Sequence, residues 1–123
     1  MTTDFDHWLA AQYGEYGPFT VFIILVLVSG DEIAPLKSSY AHVIGSDLSW
    51  REMRRLLDGA GAGWNGAAFF VGLDRAGGPL DDEVAARKLK EVEADARADA
   101  LAFNRGLLVD REGRQLRVEE VAQ

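Results

Sequence analysis

There is no cysteine among the 123 residues. Disulfides, thiolate metal centres and a cysteine nucleophile are therefore excluded, and a reducing compartment is compatible with the chain. Histidine is scarce as well: His7 and His42 are the only two, and no H-x-x-x-H spacing surrounds either, so no metal and no cofactor is expected. No serine lies in a G-x-S-x-G elbow, which removes the commonest hydrolase arrangement. Basic residues are in deficit, 13 against 20 acidic ones for a net charge of −7. Gripping a phosphate backbone takes clustered Lys and Arg, so no nucleic-acid partner is expected. No targeting or lipidation signal is read, which leaves the cytoplasm as the default expectation.

Long apolar stretches are also few. The most apolar, residues 19–28 (FTVFIILVLV), has Thr20 as its single polar member. As a helix it would measure about 15 Å, half of a ~30 Å hydrocarbon layer, so no membrane span is expected. Val21, Ile23, Ile24, Val26 and Val28 are β-branched, and such side chains fit a pleated strand better than a helix. Pro18 before the run and Ser29-Gly30-Asp31 after it supply turn chemistry. Alternation puts Phe19, Val21, Ile23, Leu25 and Leu27 on one face and Thr20, Phe22, Ile24, Val26 and Val28 on the other. Both faces are apolar, which predicts a central strand covered on both sides.

The remaining elements follow from periodicity and caps. Residues 3–13 predict a short helix with a Thr3–Asp6 capping box, ended by Gly14 and Gly17. Residues 38–44 read as either a short strand or an irregular loop; as a strand they would pair antiparallel with 19–28 through a loop near 31–37. Ser49 caps a second helix carrying Trp50, Met53, Leu56, Leu57 and Ala60 at helical spacing. A strand follows at 67–73, and strand–helix–strand order predicts a crossover with 19–28 and 67–73 parallel. The longest helix is expected over 81–103, with Asp81, Asp82 and Glu83 in its first turn, where carboxylates suit the positive helix end. Residues 107–110 and 115–119 read as a terminal hairpin.

These elements sum to one α+β domain. Expected is a two-layer sandwich of a mixed, four- to five-stranded sheet, with two main helices on one face and a short N-terminal helix. The second sheet face is left for either the N-terminal helix or a second copy to cover. A lone short helix is small for it, so a homodimer is expected, and a further protein partner is compatible with it.

Chemistry-bearing candidates are sparse. Residues 61–66 (GAGWNG) match G-x-G-x-x-G, but they follow a helix and open a strand, the reverse of a dinucleotide site. His42, with Asp31 or Asp47 as its orienting carboxylate, is the candidate general base. Tyr40, Trp50, Trp64 and Asn65 are candidate ligand-binding residues, because large aromatics beside loops can edge a pocket. Two functions are carried forward: a small binding or protein-interaction module acting as a dimer, and a small acid–base enzyme centred on His42.

Overall fold

A computed structural model describes residues 2–45 and 48–118 of the chain. Thr3 opens α1 (Asp4–Tyr16): its hydroxyl accepts from the Asp6 amide at 3.1 Å, and Asp6 Oδ2 accepts from the Thr3 amide at 2.9 Å. That reciprocal box satisfies two of the helix's free donors. The helix runs through Gly14 and stops at Gly17, whose φ of 68° suits only glycine comfortably.

The apolar run becomes β1 (Phe19–Ser29), and Gly30-Asp31 turns it directly into β2 (Glu32–Val43). Then come α2 (Trp50–Asp58), β3 (Gly66–Gly72), α3 (Asp82–Ala98), a 3-10 helix (Ala100–Arg105), β4 (Leu107–Asp110) and β5 (Gln115–Leu116). The five strands form one sheet in the order β2-β1-β3-β4-β5, with every pair antiparallel. The chain is thus α+β with an open sheet.

Three expectations need correction. The sheet is antiparallel rather than mixed, and β3 opposes β1. The reason is β2, a full strand that reverses the chain before α2 begins. The crossover through α2 therefore joins β2 to β3, which run the same way on either side of β1. Second, α2 and α3 do not share a face. Phe19, Val21, Ile23 and Leu25 pack with Phe5 and Leu9 of α1 and with Trp50, Met53 and Leu57 of α2. The alternate residues Phe22, Ile24 and Val26 pack under Leu80, Ala85, Ala96 and Phe103, from α3 and its flanks. Helices cover both faces: the N-terminal helix, one of the two covers expected for the second face, lies there together with α2, so that face is not left for a second copy. Third, α3 breaks at Asp99, which is extended (φ −151°, ψ 113°) and accepts from the Leu101 amide at 3.0 Å. A short acidic side chain that competes for backbone donors ends the helix there.

The terminal hairpin forms, with Leu108 opposite Leu116; residue 119 of the expected strand lies outside the described residues.

Candidate functional site

β1 and β2 place Thr20 opposite His42 on the face that α3 covers. Thr20 is fully buried and is the only buried polar residue of the described core. Its Oγ1 accepts from the Leu80 amide at 2.9 Å and lies 2.9 Å from His42 Nδ1. With the amide donating to the oxygen, the hydroxyl hydrogen is free to donate to Nδ1. That leaves the imidazole hydrogen on Nε2, which donates to Asp82 Oδ1 at 2.9 Å. Tyr40, two residues back on the same face, donates its hydroxyl to the same oxygen at 3.2 Å. One continuous network thus joins the buried start of β1, the edge strand β2 and the first turn of α3.

The charges respond accordingly. Hydrogen bonds from His42 first, and from Tyr40 next, hold the Asp82 carboxyl below its usual range. Partial desolvation, followed by the neighbouring Asp82 carboxylate, raises the Tyr40 phenol. Both ring nitrogens of His42 are engaged, so the resting arrangement leaves no free imidazole lone pair. Asp82 is the solvent-facing end: its side chain is 79% exposed, against 31% for His42. If Asp82 swings away, Nε2 presents a hydrogen to an incoming group and acts as a donor rather than a base.

The structure separates the other sequence candidates. Asp31 occupies the turn at the far end of β2 from His42, a separation of roughly 35 Å along the strand. Asp47 lies outside the described residues. The carboxylate that orients His42 is Asp82, read from sequence only as a helix-start charge.

Trp50 and Trp64 belong to the opposite face, in the core with Phe5 and Phe69. Trp50 donates its indole hydrogen to the Arg111 carbonyl at 3.0 Å, and its backbone amide to Asp6 Oδ1 at 2.8 Å. Trp64 lies under the Arg111 guanidinium, 4.4 Å from the ring centroid. Its buried indole N–H has no acceptor among the described residues. Asn65 extends the sheet: it accepts from the Val28 amide at 2.7 Å and donates to the Val28 carbonyl at 2.8 Å. Of the predicted ligand-binding set, only Tyr40 joins His42.

A second feature borders this network. β2 is an edge strand, and its two halves differ. The first half carries Pro35, a bulge at Leu36 where the register with β1 shifts, and Lys37, all devices that block edge-to-edge pairing. Residues 38–43 (SSYAHV) carry no proline, no bulge and no permanent charge. Among the described residues, nothing pairs with their outer edge. Beside them, between β2 and α2, runs an apolar groove. Two cavities of about 360 and 240 Å³ share Ala41, Met53 and Leu56 in their walls. Leu56 is 67% exposed and Ile44 64%, the two most exposed large apolar side chains described.

Among the described residues, no group of three or more histidines and carboxylates could hold a metal ion, and no helix is long and apolar enough to cross a membrane. Compared with known proteins, the chain matches no family model, and it has no significant match among curated proteins or solved structures.

Proposed function

We propose that this protein is a small interaction module that pairs with a second copy of itself through residues 38–43 of β2. The observation that carries the reading is the contrast within that strand: a guarded first half, and an unguarded second half beside Ile44 and Leu56. An antiparallel strand can pair with its own copy about a two-fold axis, joining two five-stranded sheets into one. The same two-fold brings both α2–β2 grooves to the seam, where Ile44 and Leu56 of each copy leave water. This replaces the sheet-face dimer expected from sequence. A net charge of −7 on each copy opposes association, so added salt strengthens it.

Sedimentation equilibrium tests the reading. Wild type is expected to be dimeric at about 100 μM, an association free energy beyond roughly 5.5 kcal/mol. Leu56→Glu and Ile44→Glu, both at exposed positions, are expected to be folded monomers. A monomeric wild type at that concentration overturns the proposal.

A second reading, chemistry at His42, draws support from its contacts with Asp82 and Thr20. Hydrolysis of a panel of activated esters and phosphoesters tests it. Equal rates for wild type and His42→Gln would remove it.

A further inference from the structure

At the other side of the sheet, β3 outruns its neighbour. β1 pairs with β3 along its whole length, but β4 pairs only with residues 66–69. The ladder ends at Gly106, where a Cβ would overlap the Phe69 carbonyl oxygen and press on the Phe70 ring. Successive strand residues turn their N–H and C=O groups to opposite sides. Residues 70–72 therefore aim at least one such pair at the missing neighbour.

A cleft of about 430 Å³ opens at this point, within the size range of small-molecule sites. Trp8 and Tyr16, two turns apart on α1, line it together with Phe70 of β3. Asp95 of α3 and Arg105 of the 3-10 helix also line it. Arg105 Nη1 stands 3.9 Å from Asp95 Oδ2, with the side chains 71% and 64% exposed. That is an ion pair without a hydrogen bond, so each group keeps its hydrogen-bonding capacity for a ligand. A simple anion meets a protein of net charge −7, and a simple cation meets Arg105. A molecule bearing both charges meets neither objection.

We propose that this cleft binds an amphoteric aromatic molecule, of which a free aromatic amino acid is the simplest. Its ring packs among Trp8, Tyr16 and Phe70. Its ammonium meets Asp95 and its carboxylate meets Arg105, while the free edge of β3 offers backbone groups between them.

The test is a two-dimensional amide NMR titration of the full chain with three probes. L-Tryptophan carries both charges, tryptamine only the ammonium, and indole-3-propionate only the carboxylate. The expected result is localised shifts at Phe70, Val71, Arg105 and the Trp8 indole, with L-tryptophan the tightest binder. Asp95→Asn should weaken L-tryptophan several-fold and leave indole-3-propionate binding no weaker. Arg105→Gln should weaken L-tryptophan and leave tryptamine binding no weaker. Both positions are exposed, so neither variant should unfold the protein. The proposal is overturned by no localised shifts up to the solubility limit, by equal affinity for all three probes, or by variants that bind L-tryptophan as wild type does.

Discussion

Replacing Thr20 by valine keeps the shape of a fully buried side chain and removes one oxygen. That oxygen is the acceptor for the Leu80 amide at 2.9 Å and the partner of His42 Nδ1 at 2.9 Å. His42 is part-exposed and can turn its nitrogen to water, so its loss is small. Leu80 is 5% exposed, and its orphaned N–H costs about 1–3 kcal/mol. The added methyl returns at most about 0.8 kcal/mol of burial. The net expectation is a destabilisation of about 1–2 kcal/mol, read in urea denaturation as a lower midpoint at unchanged slope. For a chain of this size that corresponds to a melting point lower by roughly 3–8 °C. Hydrogen exchange offers a local check, because the Leu80 amide should be protected in wild type and fast in Thr20→Val. His42→Gln alone should cost under about 1 kcal/mol, and a double-mutant cycle with Thr20→Val should show coupling. A Thr20→Val protein as stable as wild type, with Leu80 still protected, would refute the network.

Further consequences are measurable on the same stability assay. Gly113 has φ 76°, and a Cβ there would lie 2.8 Å from Trp50 Cγ, so Gly113→Ala should lower stability by more than about 2 kcal/mol through strain and overpacking. Asn65→Ala removes both bonds to Val28 and should cost about 2 kcal/mol; an unchanged midpoint would mean that water replaces them. Burial by itself would raise the Asp6 carboxyl, but bonds from the Thr3 and Trp50 amides outweigh it and lower the folded value. The unfolded chain therefore binds the proton first as pH falls. The Asp6 contribution is complete above the ordinary carboxylate range and is lost as pH drops through the lowered folded value. Asp6→Asn should flatten the acid limb of stability against pH, and an unchanged limb would count against the bridge from Asp6 to α2. Tyr40 has the opposite sign: its raised phenol contributes fully below its ordinary value and loses that share as pH climbs through the folded one, so Tyr40→Phe should flatten the alkaline limb.

Sequence by itself determined most of the elements and the centre of the fold. The apolar character of both faces in residues 19–28 made β1 a covered central strand, because period-two alternation fixes which side chains share a face. Thr3 with Asp6 fixed the start of α1, because a capping box acts within one turn. Alternation did not say which helix lies on which face, and that is where the expected layering failed. The direction of β3 failed for a related reason. It depends on whether residues 32–43 form a strand, and an edge strand is half solvated, so its sequence lacks a strong apolar period. The site was half legible. His42 and Tyr40 stood out, and Thr20 was the lone polar residue in its run, a signal that a buried partner was needed. Asp82 lies 40 residues from His42 and carries no mark beyond its place at a helix start. Only the tertiary structure brings that helix end over β2. Hydrogen-bond partners so far apart in the chain are set by how layers pack, which no local pattern encodes.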